Sequence, residues 1–189
     1  MHKLAIVLSL SGLLLLIDSQ AQNQLHIRKA KAAITVDANM NDVDWQEAEI
    51  AKGFWQHFPF DSSMAVAQTE VRLTYDEKFL YVYAVMYNLG PRQYVTPSLR
   101  RDFRGEGNDS FVVQLDTYQD KTNSFSFGIN PFGVQREGLV SNGGIVRESL
   151  SLDWDNKWYS EARMLPDRWE CEFAIPFSSI RFKSGLSNR

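Results

Sequence analysis

The sequence predicts an all-β protein: a single antiparallel β-sandwich of jelly-roll type, with one short helix near the N-terminus. Three observations carry that prediction. From residue 53 onward apolar and polar residues alternate with a period of two, which is how a strand with one buried face reads. The alternating runs are short and recur about every ten residues between turn-forming stretches, as in sandwiches and barrels. Past the N-terminal leader, no stretch keeps a helical period for more than a turn or two.

The chain opens on "MHKLAIVLSLSGLLLLIDSQAQ". An early lysine, an apolar run from Leu4 to Ile17 and the small-residue site Ser19-Gln20-Ala21 have the layout of a secretory signal peptide over residues 1–21. The run is shorter than the roughly 18–20 residues that a spanning helix needs; an uncleaved anchor is the rival reading. No cysteine lies near the cleavage site, which excludes lipidation there. Export makes the periplasm, the outer membrane or the extracellular space the expected location.

The folded domain is predicted over residues 22–182, a normal size for one domain with its own core. "LHIRKAKAAITVDANM" supplies two short extended pieces. In "NDVDWQEAEI", Asn41 or Asp42 can cap a helix of one or two turns over 42–50, with Trp45 and Ala48 on one face. "TEVRLTY" sets Val71, Leu73 and Tyr75 against Glu70, Arg72 and Thr74, and "FLYVYAVMY" is apolar on both faces, as a central strand is. The turn at residues 75–78 joins the two as a hairpin. "SFVVQLD" (110–116) and "SFSFGIN" (124–130) alternate again across the polar "TYQDKTN". "NPFG" (130–133) is a turn, and "GIVRESL" (144–150) and "WYSEARM" (158–164) are predicted strands. In "DRWECEFAIPFSSIRF" (167–182), Trp169, Cys171, Phe173 and Ile175 point one way and Glu170, Glu172 and Ala174 the other. Pro176 ends that strand by removing a backbone donor.

The inward faces are expected to include Val71, Leu73, Phe111, Val113, Leu115, Phe125, Phe127, Trp169 and Phe173. Residues 183–189 read as the start of a linker or a truncated tail, with the polypeptide expected to continue beyond Arg189.

The formal net charge of −3 argues against nucleic acid or anionic lipid as the main partner. Cys171 is the single cysteine, so no internal disulfide forms, and its place between Trp169 and Phe173 reads as core. Catalytic motifs are missing: there is no HExxH, Cys/His cluster, glycine-rich phosphate loop or GxSxG elbow. Asp102, Glu106, Asp109 and Asp116 could in principle supply a glycosidase pair, but acids in turns are usually solvated. The expectation is therefore no catalysis.

Binding is better supplied. Five tryptophans are many for this length, and aromatic faces framed by hydrogen-bonding side chains suit sugar rings. Trp45 and Trp169 fit a core. Trp154 and Trp158 flank the polar turn "DWDNKW", where burial explains a large aromatic less well; Trp158 can also be read as the buried first residue of a strand. Trp55, in "GFWQHFPF", is open. Asp109 and Asp116 stand near strand ends among backbone carbonyls, a setting that suits Ca²⁺ better than a transition metal. Residues 88–109, "NLGPRQYVTPSLRRDFRGEGND", form a connection of 22 residues with two prolines, three glycines and no period. Structureless loops beyond about 12–15 residues are often functional.

"ITVDANMNDVDWQEA", "TEVRLTYDEKFLYVYAVMY", "RRDFRGEGNDSFVVQLDTYQD", "FGINPFGVQREG" and "DRWECEFAIPFSSIRF" follow one another in this order. The set resembles the family-9 carbohydrate-binding module, from about residue 26 to 182. In particular it resembles the version at the N-terminus of large exported Gram-negative proteins whose remainder looks like an outer-membrane β-barrel. Asn39 stands where the family motif usually has glycine. The resemblance implies a β-sandwich, non-catalytic binding of a polysaccharide or oligosaccharide, bound Ca²⁺, and a downstream domain that is a glycoside hydrolase or an outer-membrane barrel. A structural or protein-binding role in an outer-membrane assembly, without a sugar ligand, is the alternative. The predicted sugar surface is shared by the 88–109 loop, through Tyr94, Arg100, Arg101, Asp102 and Arg104, and the turn carrying Trp154 and Trp158. Asp109 or Asp116 is the predicted calcium ligand.

Overall fold

A computed structural model describes residues 24–58, 60–91, 93–104, 107–144 and 149–182. The predicted signal peptide and the 183–189 tail lie outside the described residues. Among these, no helix is long and apolar enough to cross a membrane.

Two sheets face one another. The first contains β1 (Arg28–Lys29), β2 (Ile50–Ala51), β3 (Thr69–Tyr75), β4 (Phe79–Tyr87), β9 (Tyr159–Met164) and β10 (Arg168–Pro176), in the order β1-β3-β4-β10-β9 with β2 also on β3. The second contains β5 (Phe111–Leu115), β6 (Ser124–Ile129), β7 (Gln135–Val140) and β8 (Leu150–Ser151), in chain order. All pairings are antiparallel except the short parallel contact of β1 with β3. The helix α1 is Val43–Glu47, shorter than 42–50. Asp42 stands at its N-cap, but its carboxylate is turned to the Thr35 N–H instead of the helix.

The core lies between the sheets. β10 sits centrally between β4 and β9, and its Trp169, Cys171, Phe173 and Ile175 meet Phe127 and Ile129 of β6. Each of the nine residues expected to point inward belongs to this cluster or packs on it.

Two sequence expectations need correction. The strand placed at 144–150 falls partly on residues outside those described; what is observed is β7 at Gln135–Val140 and a two-residue β8. β7, "QREGLV", escapes a polarity pattern because its core-facing positions include Gln135 and Glu137, paired with Ile129 and Phe127. The second concerns β10, whose other face is not solvated. Residues 34–45 lie over it and form a smaller cluster of Trp45, Tyr81, Tyr83, Val85 and Ala174, with Glu170 and Glu172 buried beside them. This cover is why "FLYVYAVMY" is apolar on both faces.

Candidate functional site

The long 88–109 connection meets the second sheet at the edge of β7. β8 pairs with β7 only at Leu139 and Val140. Over the remaining edge, the Asp102 N–H donates to the Gln135 carbonyl (3.1 Å), and the Asp102 carboxylate accepts from the Glu137 N–H (3.4 Å). Asp102 takes a positive φ of 60° to do so. Burial, with the neighbouring Glu137 charge, raises its carboxyl pKa against the pull of that N–H. On one side of this stretch the Arg101 guanidinium bonds the Gln135 side chain (2.6 Å), the Glu137 carboxylate and the Asn156 carbonyl (3.3 Å). On the other, Phe103 is buried beneath the Arg136 guanidinium.

The loop and the "DWDNKW" turn therefore do meet, but through polar bonds made inside the molecule. Trp158 is not a surface platform. It is buried, with its ring 4.9 Å from that of Phe173 and 5.4 Å from that of Phe127. Its Nε1–H donates to the fully buried Glu137 (3.1 Å). The remaining loop residues are dispersed. Tyr94 packs edge-on against Trp169 and accepts from Asn88 (2.8 Å), in a separate small groove. Arg100 and Arg104 are exposed, Arg104 with its carbonyl closing the loop through Asn108.

Trp154 is placed differently. Half-buried, it rests on Phe125 and Phe127, with ring centroids 5.2 and 5.8 Å away. It lines an open cleft of about 640 Å³ at the end of the sandwich. Phe125, Leu139 and Val140 complete the apolar surface, and Tyr118 adds a second, more exposed ring. Asn123, Asn156, Ser141, Ser178 and Arg181 supply polar groups around it. Asn156 is fixed, donating to the Ser179 carbonyl (3.1 Å). Asn123 donates to Asp120 (2.8 Å), which stands beside the cleft and whose carboxyl is held well below its usual range by hydrogen bonds from Asn123 and Thr122. Among the described residues neither the Tyr118 hydroxyl nor the Arg181 guanidinium has a protein partner. Volume, an aromatic floor and a few polar anchors are what a small-molecule site needs.

Of the predicted sugar-contacting residues, only Trp154 lines this cleft. Tyr118, Asn123, Asn156 and Arg181 were not foreseen. Tyr118 carries the same signal as Trp154, a large aromatic in the polar stretch "TYQDKTN".

The metal candidates stand at opposite ends of β5. The Asp109 carboxylate accepts the Val95 N–H (2.7 Å). Asp116 accepts the N–H groups of Asp120 and Lys121 (3.2 and 2.8 Å). Among the described residues, no group of three or more His, Cys, Asp or Glu side chains is placed to hold an ion. The two carboxylates stand apart, so an ion held at one would not be shared by the other.

No protein-family model matches the chain, nor does any curated protein sequence. Solved structures do match. A family-9 carbohydrate-binding module from Caldicellulosiruptor kristjanssonii in complex with cellotriose superposes with a TM-score of 0.54 at 17% identity, over 80% of this chain and 67% of that one. The same module with glucose gives 0.54 at 16%, over 80% and 68%. A candidate carbohydrate-binding protein from Bacteroides uniformis ATCC 8492 gives 0.57 at 12%, over 82% and 72%. At these identities the likeness establishes the fold: an all-β sandwich of the family-9 module type.

Proposed function

We propose that this domain binds a sugar chain without catalysing a reaction on it, in the cleft floored by Trp154. The observation that carries the reading is the cleft itself. One aromatic ring is held on the core, a second is exposed, and both are rimmed by amide, hydroxyl and guanidinium groups with capacity to spare. Stacking on Trp154 and Tyr118 would orient a pyranose ring, while the polar rim would read its hydroxyls. The structural relatives that carry glucose and cellotriose support a neutral glucosyl unit as the first ligand to test. Export and membership of a larger polysaccharide-degrading or outer-membrane protein belong to the same proposal, supported by the leader and the resemblance.

The test is titration calorimetry of the full chain with glucose, cellotriose and a panel of soluble polysaccharides, repeated on Tyr118→Ala. Tyr118 is exposed and makes no ring contact with another aromatic among the described residues, so this variant should keep its melting temperature within about 1–2 °C, as surface substitutions generally do. Its affinity should fall at least about tenfold, the loss expected when a stacking ring is removed. Unchanged affinity in Tyr118→Ala would move the site elsewhere. Silence of the parent protein across the panel would reject sugar binding and favour a protein-binding role.

A further inference from the structure

The segment from Gly53 to Val66 projects from the edge of the first sheet, between β2 and β3, and the cleft does not use it. It is a hairpin: Trp55 bridges Met64, the Gln56 N–H donates to the Ser63 carbonyl (3.0 Å), and the Ala65 N–H to that of Phe54 (2.9 Å). Gly53 enters it with φ of 75°. Its apolar side chains are open to solvent: Phe58 is 83% exposed, Phe60 71%, Val66 68% and Trp55 61%, with Met64 and Phe54 also exposed. Soluble surfaces rarely leave so many large apolar groups together without a use.

Two features select the occupant. The first is that the apolar groups lie on both faces. Trp55 and its partner Met64 share one, and Phe54, the preceding residue, lies on the other. A protein partner or a flat polysaccharide covers one face of a ribbon, whereas lipid surrounds it. The second is charge. Apart from His57, residues 52–66 hold one lysine, Lys52, and one acid, Asp61, so nothing selects a charged partner. Tryptophan and phenylalanine are also side chains that settle at the headgroup boundary.

We infer that the 53–66 hairpin is a membrane-interface anchor that inserts Trp55, Phe58 and Phe60 into an uncharged, zwitterionic lipid surface. The test is Trp fluorescence of the full chain on phosphatidylcholine vesicles brominated along the acyl chain. Trp45, Trp158 and Trp169 are buried and Trp154 is half-buried on Phe125, so quenching above background should come from Trp55. It should be present in the parent, disappear in Trp55→Phe, and fall at least about fivefold in Phe58→Ala/Phe60→Ala, each lost ring forfeiting burial in the bilayer. It should not change between low and high salt, because no charge drives it. Equal quenching in the parent and Trp55→Phe would overturn the inference. So would absence of quenching together with a dimer that Phe58→Ala/Phe60→Ala dissociates, or quenching that requires anionic lipid and vanishes with salt.

Discussion

Two tryptophans four residues apart carry the same sequence signal and have different physical roles. Trp154 and Trp158 both flank a polar turn, and nothing in "DWDNKW" says which is inside. The distinction comes from β9, which begins at Tyr159 and brings Trp158 onto the inner face between Phe127 and Phe173. Replacing Trp158 by Ala should therefore cost about 3–5 kcal/mol, the usual range for a buried tryptophan, and a denaturant melt should show it as a large fall in midpoint. Trp154→Ala should cost less, because only part of its ring is covered, and should abolish the proposed sugar binding. Equal losses of stability would mean that Trp154 is as much core as Trp158 and that the cleft has no aromatic floor. The lining of the candidate cleft was legible here as a residue type, an aromatic in a polar turn, and as a position only at Trp154. The partners that divide platform from core lie on strands distant in sequence.

At the scale of the element, β10 shows what alternation conveys and what it cannot. Trp169, Cys171, Phe173 and Ile175 face the second sheet as their period predicts. The opposite face carries Glu170 and Glu172, which in a sandwich ought to meet water; residues 34–45 cover it instead. Glu172 is enclosed, accepting from the N–H groups of Asp37 and Ala38 (3.0 Å each) and from Trp45 Nε1 (3.0 Å). Burial pushes its carboxyl up to about 7 against the opposing pull of those donors. Burial also acts on Glu170, but hydrogen bonds from Arg163, Arg168 and Tyr83 outweigh it and hold that carboxyl low. The two carboxyls predict opposite pH trends in separate windows. Between 4.5, the ordinary value for glutamate, and about 7, the native state binds Glu172's proton more tightly than the unfolded chain does, so this group makes stability fall as pH rises through that window. Glu170 contributes stability above 4.5 that is lost as pH falls through its lowered native value. Melting temperatures of the parent and of Glu172→Gln across the upper window should differ in slope, the variant being flatter. Parallel curves would show that Glu172 titrates normally.

For the molecule as a whole, the decisive feature is how the sandwich closes beside β7. The sequence showed two sheets' worth of alternating strands, and those are present apart from the one placed at 144–150, where only Leu150 among the described residues lies in a strand. It also showed a long aperiodic loop, whose length suggested a ligand surface. Instead, residues 101–103 take the place of an edge strand, because β8 is too short to cover β7 and an open edge invites pairing with other chains. A strand read by polarity needs apolar inward positions, and the inward positions here are Gln135 and Glu137, so neither β7 nor its cover was legible. Gln135 donates to Ser160 Oγ on β9 (2.9 Å), and Glu137 accepts from Trp158. The two sheets are thus tied at this edge by polar bonds that Arg101 completes. Glu137 is fully buried, whereas Arg101 is half exposed and is its cationic partner. Arg101→Ala would leave a buried carboxylate without its cation, beside the Asp102 carboxyl, at a cost of about 1–3 kcal/mol. Stranding a buried charge is more destabilising than removing the whole pair, so Arg101→Ala/Glu137→Gln should recover much of that loss, the amide oxygen still accepting from Trp158. Chemical denaturation of the single and double variants measures the coupling directly. If the double variant is the less stable of the two, the closure rests on the bonds that Glu137 accepts from Trp158 Nε1 (3.1 Å) and the Asn156 N–H (3.4 Å) rather than on its ion pair.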